Sequence, residues 1–337
     1  MFNFINNIYI AIVVIIIMSW IVSVASDKLG DVLHVLGIKL NIPTTVRGAT
    51  FDAIASSFPE FATAMIAVLI YKEFTDVGVP TIAGSGIFNV LLIPMFSIIA
   101  FKGALALKVD KKNIYRDMFF YILALTVLGS FMFLGQFTYI TGLVLLLVYV
   151  GYIVFLHRQT LEHRANGNSV EEEEDDDDDD MSYFAILGWI IVTMAFVWIS
   201  VDAIIASAGV VALTFGIPKF ITSVIIIAAA TSIPDTLLSV KSAKKGDADG
   251  AISNAVGSNI FDICICLGFP MLIAGRAIPV EFARNIGMLI FLVVSMLVTG
   301  GILLKKSGVK KHDVYIMGTS YFAFLVYIVG IALGKWG

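Results

Sequence analysis

The chain has 337 residues, of which 59% are hydrophobic and only 14% charged, with a formal net charge of -4 and a mean hydropathy of +0.94. Soluble domains run at roughly 45–50% apolar and about 25% charged residues, so the composition excludes a soluble enzyme or a nucleic-acid-binding module and defines a polytopic membrane protein. The only two cysteines, Cys264 and Cys266, fall in an apolar stretch. At i,i+2 on a helix they point different ways, and they read as small buried residues rather than a disulfide or a metal pair.

The first apolar run has no basic residue before it, unlike a secretory leader, and is expected to be a retained first transmembrane helix. A span needs about 20 mostly apolar residues. Ten candidates follow in chain order, over 7–26, 48–71, 78–101, 114–134, 137–156, 183–203, 219–240, 250–275, 283–304 and 313–334. Segments 27–47 and 204–218 are too interrupted by polar residues, Gly and Pro to be counted as further spans. With the N-terminus outside, 17 of the 22 Lys and Arg residues fall in the inside loops. That bias is the expected one, and it supports ten spans as well as the N-out orientation. Residues 158–182 form the main hydrophilic break and contain ten consecutive acids at 171–180. Such a run stays solvated and is expected to be a cytoplasmic linker between two halves, 1–157 and 183–337.

The halves repeat one another. Ala53 and the stretch Ser56-Ser57-Phe58-Pro59-Glu60 recur as Ala228 and Thr231-Ser232-Ile233-Pro234-Asp235 at an offset of 175, and Ile42-Pro43 recurs as Ile217-Pro218. The next helix carries "GSGIFN" at 84–89 and "GSNIFD" at 257–262, offset by 173. Five spans per half make the second copy enter the membrane from the opposite side. The expected fold is therefore an all-α polytopic membrane protein of ten transmembrane helices in two inverted-topology five-helix repeats. In such transporters the substrate site lies at the midplane between the repeats.

Pro59 and Pro234 each remove a helix hydrogen bond and kink the chain, freeing carbonyls that are tolerable only where protein, water or an ion satisfies them. Glu60, Asp235 and Asp262 are mid-span carboxylates. Each costs about 2.5–3.5 kcal/mol if it faces lipid, so three would cost roughly 8–10 kcal/mol, comparable to a whole folding free energy. They are expected to face one another or a watery cavity, compensated by cations or protons. Ala53, Ser57 and Glu60 share one helix face at i, i+4, i+7, as do Ala228, Ser232 and Asp235. Ser85 pairs with Asn89, and Ser258 with Asp262, at i,i+4. Gly84 and Gly257 would let helices approach closely. The donors are all oxygen, which suits Ca²⁺ or Na⁺ rather than zinc or copper.

The stretches "GATFDAIASSFPEF" and "AAATSIPDTLLS", each followed by its "GSGIFN" or "GSNIFD" helix, resemble the two α-repeats of the sodium/calcium exchanger family in the cation/calcium antiporter superfamily. Asp235 and Asp262 are most similar to the potassium-dependent branch. The resemblance implies cation sites ligated by Ser57, Glu60, Asn89, Ser232, Asp235 and Asp262. Ser56, Ser85, Thr231 and Ser258, with the carbonyls of Ala53 and Ala228, are implied as outer ligands. It further implies that spans 1 and 6 slide as a gate across the other eight. The sequence departs from the family pattern at Ala55 and Ala230, where Gly is usual, and at Asp52, where an apolar residue is usual. Asp52 either lines an inner vestibule or adds a cation or proton site.

The expected function is Na⁺/Ca²⁺ antiport by alternating access, with K⁺ as the further ion the branch implies. No cofactor, protein partner or nucleic acid is expected, and the surroundings are a lipid bilayer, expected to be the plasma membrane. The nearest alternative is a Ca²⁺/H⁺ or other divalent-cation antiporter. A channel would not couple two gradients. An intramembrane aspartyl protease needs two facing acids sharing a proton but would leave the hydroxyls and the repeat unexplained.

Overall fold

The computed structural model describes residues 2, 4–40, 42, 47–102, 111–165, 181–246, 248–306 and 308–334. The acidic run 171–180, Pro43 and Lys108 lie outside the described residues. Ten apolar helical segments follow: α1 Ile8–Lys39, α2 Thr50–Tyr71, α3 Phe74–Ala100, α4 Lys111–Phe133, α5 Tyr139–Gln159, α6 Tyr183–Phe215, α7 in two parts (Lys219–Thr231 and Ile233–Lys245), α8 Ala255–Ile273, α9 Phe282–Leu303 and α10 Asp313–Ala332. Among the described residues, nine of these are single helices long and apolar enough to cross a membrane, and the tenth expected span is met if the two parts of α7, which meet at a bend of 42°, count as one.

Two helices run past the bounds expected for their spans. α1 continues through Asp27, Lys28, Asp31 and His34 to Lys39, and α6 continues to Phe215. Both stretches read as too interrupted to be further spans, and they form none: each continues the span before it. Neither extension contains a proline, and an interior glycine costs only about 1 kcal/mol in a helix, so Gly30, Gly37 and Gly209 do not stop it. Asn7 caps α1 by accepting a hydrogen bond from the Ile10 amide at 3.0 Å. Ser182 does the same for α6, accepting from Ala185 at 3.2 Å. Gly216, at φ +64°, ends α6 in the left-handed conformation. The two long helices run antiparallel along each other. Ala11 and Val14 pack with Ala203 and Val211, and Lys28 and Lys39 lie over the rings of Trp189 and Tyr183.

Burial sorts the helices. The most apolar windows of α2, α3 and α8 are 72–78% buried, against 22–33% for α1, α5, α6 and α10. The helices carrying the repeated motifs are thus the interior, and α1, α6 and the flanking helices present apolar side chains to lipid. α2 and α3 form a tight hairpin closed by Lys72, which adopts φ +60°, and by the Glu73 amide donating to the Ala67 carbonyl at 2.9 Å.

Contacts across the α2–α3, α4–α5, α6–α7 and α8–α9 connections all lie on one face. Glu73 pairs with Lys219, and Asp76 with Arg284, each at 2.6 Å. Gln136-Phe137 forms a two-residue antiparallel ladder with Ile278-Pro279. We call this the far face. The face carrying Met181, the C-terminal ends of α1 and α7 and the N-terminal end of α2 is the linker face.

Candidate cation site

Pro59 and Pro234 act differently although they occupy equivalent positions. Helix geometry runs unbroken from Ala53 to Ile66 through Pro59, and Thr63 Oγ donates to the Pro59 carbonyl at 2.8 Å. In the second repeat the helix breaks at Ser232, whose ψ is 0°, two residues before Pro234. The expected kink is therefore sharp in one repeat only. Wide π-helical turns flank the motifs at Gly48–Asp52, Ala67–Tyr71, Ser223–Ile227 and Asp262–Leu267. Turns of this type recur at functional sites because they re-aim side chains and loosen the carbonyl ladder.

Four helices bring the motif side chains together. Glu60 on α2, Asn89 on α3, Asp235 on α7 and Asp262 on α8 are all 0% exposed, as are Ser57, Ser85, Thr231 and Ser232. Ser85 Oγ donates to Glu60 Oε1 at 3.1 Å and lies 2.8 Å from Ser232 Oγ. Ser258 Oγ donates to Asp235 Oδ1 at 3.0 Å. These two Ser–carboxylate bonds are the same contact made once in each repeat. Asn89 Nδ2 crosses between repeats to Asp235 Oδ2 at 3.1 Å and also reaches Ser85 Oγ at 3.4 Å. Thr231 stands beside Glu60, Ser56 beside Asp235, and Ser57 beside Asp262.

The cluster is unevenly satisfied. Ser56 Oγ, Ser57 Oγ, Glu60 Oε2, Asn89 Oδ1 and Asp262 Oδ2 are buried without a hydrogen-bond partner. A buried polar atom left unpaired costs about 1–3 kcal/mol, and more when charged. Five unpaired oxygens within one cluster leave acceptor capacity that hydrogen bonding in the protein does not fill. Among the described residues no three His, Cys, Asp or Glu side chains converge closely enough to hold a metal by themselves. Any cation here must take hydroxyl, amide or carbonyl oxygens beside the carboxylates, the mixed oxygen set that suits Ca²⁺.

The backbone positions are less open. Ala53 and Ala228 are buried on the same faces, but the Ala228 carbonyl already accepts from Thr231 Oγ at 3.2 Å and from the Ser232 amide at 3.0 Å. Both of its lone pairs are engaged. The two glycines differ as well. A Cβ on Gly84 would collide with the Val224 carbonyl and come within 2.8 Å of Ala228 Cβ, whereas one on Gly257 would meet only Tyr152 Oη, at 3.9 Å. Close helix approach holds at Gly84 and not, among the described residues, at Gly257.

Asp52 lies on the wall of a cavity of about 1160 Å³ that opens on the linker face. Asp27, Asp31, His34, Lys241, Lys244 and Lys245 share its wall, and Ser56 and Pro234 connect it to the site. Its place on this wall is compatible with both sequence readings, vestibule lining and an added cation or proton site.

Sequence reading missed Cys266 and Asn259. Cys266 Sγ donates to Asp262 Oδ1 at 3.6 Å and to the Ser57 carbonyl at 3.7 Å. Asn259 Nδ2 donates to the Gly86 carbonyl at 2.9 Å, joining the equivalent positions of the two repeats. The available signal was the i,i+4 spacing of Cys266 from Asp262.

Two helical repeats that enclose a buried carboxylate–hydroxyl cluster, with a polar vestibule leading in from one face, define a membrane transporter rather than an enzyme. Residues 10–157 and 185–331 match the family described as "Sodium/calcium exchanger protein", and the chain belongs to that family. The inner membrane protein YrbG of Escherichia coli (strain K12) is 28% identical over 79% of this chain and 81% of its own. Sodium/potassium/calcium exchanger 5 of Homo sapiens is 26% identical over 80% of this chain and 71% of its own. The solved structure of the H⁺/Ca²⁺ exchanger CAX superposes with a TM-score of 0.70 at 14% identity, over 96% of this chain and 89% of that one. At that identity the likeness is one of fold.

Proposed function

We propose that the protein exchanges Na⁺ for Ca²⁺ by alternating access, with Glu60, Asp235, Asp262, Asn89, Ser57 and Ser232 binding the ions in turn. One observation carries this reading. By the repeat symmetry, the Asn89–Asp235 hydrogen bond has its counterpart in the pair Asp262–Glu60, where the amide donor is replaced by a second carboxylate. Two acceptors cannot bond each other, and Glu60 Oε2 and Asp262 Oδ2 both lack partners. A cation or a proton belongs between them. Ser56, Thr231, Ser85 and Ser258, with the carbonyl of Ala53, complete the outer shell, whereas the Ala228 carbonyl is already engaged by Thr231 and the Ser232 amide.

Only the ion-loaded site is close to neutral, so an empty carrier meets a steep desolvation barrier and the two ion flows stay coupled. Asp262 in the position where other branches carry Asn supports K⁺ as a third ion, and the name of the human relative points the same way. Asp52 shares the vestibule wall with Asp27 and Asp31 and with four lysines, Lys28, Lys241, Lys244 and Lys245. The orientation that fits this reading has the N-terminus outside, residues 158–182 in the cytoplasm, repeats over 1–157 and 183–337, and the plasma membrane as its site.

A second reading, Ca²⁺/H⁺ exchange, draws on the same Glu60–Asp262 corner, which a proton would also bridge, and the fold is shared with an H⁺/Ca²⁺ exchanger. Uptake of radiolabelled Ca²⁺ into proteoliposomes loaded with Na⁺ and diluted into choline separates the two. Uptake that requires internal Na⁺ establishes Na⁺ coupling, and a further K⁺ requirement places Asp262 in a K⁺ role. Uptake driven by a pH gradient without Na⁺ would replace this reading with the proton-coupled one.

A further inference from the structure

The oxygen cage has one sulfur at its edge. Cys266 is completely buried, and its thiol hydrogen is shared between Asp262 Oδ1 at 3.6 Å and the Ser57 carbonyl at 3.7 Å. Both partners belong to residues of the proposed ion site. On the same carboxylate, Asp262 Oδ2 is unpartnered, as is the Ser57 hydroxyl. The π-helical turn Asp262–Leu267 begins at Asp262 and carries Cys266 against the site. Tyr149 stands near both cysteines, and it is the contacts to Asp262 and the Ser57 carbonyl that mark out Cys266.

We propose that Cys266 makes this site a trap for thiophilic divalent cations of Ca²⁺ size, Cd²⁺ above all, held by Cys266 Sγ, the Asp262 carboxylate and the Ser57 carbonyl. Soft thiolate sulfur favours such ions over Ca²⁺, which binds through oxygen alone. On binding, the S–H bond breaks and an S–Cd bond forms. The thiol proton is released to solvent, one for each Cd²⁺ bound, so that Asp262 stays a carboxylate and no electrons change hands. Because the trap shares Asp262 with the exchange site, a bound Cd²⁺ blocks Ca²⁺. This inference rests on the proposed ion site, but its first test does not require transport.

The test uses the purified full chain carrying Cys264→Ser, which leaves Cys266 as the sole thiol. Titration with Cd²⁺ is expected to raise a thiolate-to-cadmium charge-transfer absorption in the ultraviolet that saturates at one ion per chain and is reversed by excess Ca²⁺. Absence of the band, or a band indifferent to Ca²⁺, would overturn the proposal. The reciprocal Cys266→Ser protein should lack the band. In proteoliposomes it should need about tenfold or more Cd²⁺ for half-inhibition, each variant being scored against its own uninhibited uptake. An unchanged half-inhibition would equally sink the idea. A Ca²⁺-reversible band in a protein that transports no Ca²⁺ under any gradient would leave Cys266 in place and refute the exchange function instead.

Discussion

At the scale of single residues, the carboxylate cluster is held by partners drawn from both repeats. Ser85 and Asn89 of the first repeat and Ser232 and Ser258 of the second interlock around Glu60 and Asp235. Removing one charge from a buried, compensated group costs about 3–5 kcal/mol, which is roughly 100- to 4000-fold in binding. Glu60→Gln and Asp235→Asn are each expected to lower Ca²⁺ affinity by about that factor, measured as the concentration dependence of uptake. Normal affinity in both variants would remove these residues from the site. The glycines give a sharper contrast. Gly84→Ala forces a methyl group against the Val224 carbonyl and Ala228, and overpacking of this kind costs about 1–3 kcal/mol. Gly257→Ala meets nothing closer than 3.9 Å. The first should lower the unfolding temperature in detergent and the second should not. Most of this site could be read from residue types and spacing, because carboxylates and paired hydroxyls in mid-membrane are tolerated only where a polar or charged ligand compensates them. The inequality of the two glycines could not, since it depends on which neighbour stands opposite.

At the scale of elements, hydropathy finds apolar runs but not the length of a helix. It located all ten segments and stopped short on α1 and α6, because a helix leaving the bilayer remains a helix while its residues turn polar. Asp27, Lys28 and Asp31 looked like a loop and instead extend α1 along the linker-face vestibule. The π turns were invisible for a related reason, since inserting one residue per turn leaves composition unchanged. One buried ion pair also fixes an element boundary. Asp117 on α4 is 1% exposed and accepts from Arg116 Nε at 2.7 Å and from Tyr152 Oη of α5 at 3.2 Å. Arg116 in turn binds Asn113 and Gln159, tying α4 to the C-terminal end of α5. Asp117→Ala would leave a largely buried guanidinium without its counter-charge, a loss of about 3–5 kcal/mol. A clear drop in thermal stability of the detergent-solubilised protein is expected, with a smaller drop for Asp117→Asn, which keeps an acceptor oxygen.

At the scale of the whole molecule, the inverted repeat makes a statement about sides that the far-face contacts allow to be tested. Alternation over ten spans puts the α2–α3, α4–α5, α6–α7 and α8–α9 connections on one side of the membrane. In the fold they touch: Glu73 meets Lys219, Asp76 meets Arg284, and Gln136-Phe137 pairs with Ile278-Pro279. Exposed ion pairs contribute only about 0–1 kcal/mol each, so these contacts report proximity rather than supply stability, and substituting them should leave folding intact. The positive-inside bias then predicts which side this is. Glu73→Cys, Gln136→Cys and Arg276→Cys should react with a membrane-impermeant maleimide added to intact cells. Lys28→Cys, Lys241→Cys and Lys305→Cys should react only after the membrane is opened. The native Cys264 and Cys266 are buried and contribute little background. The opposite labelling pattern would invert the orientation and place the vestibule of Asp52 and Lys241 outside. A mixed pattern within either group of three would break the alternation itself, and with it the symmetry from which the Glu60–Asp262 ion corner is argued.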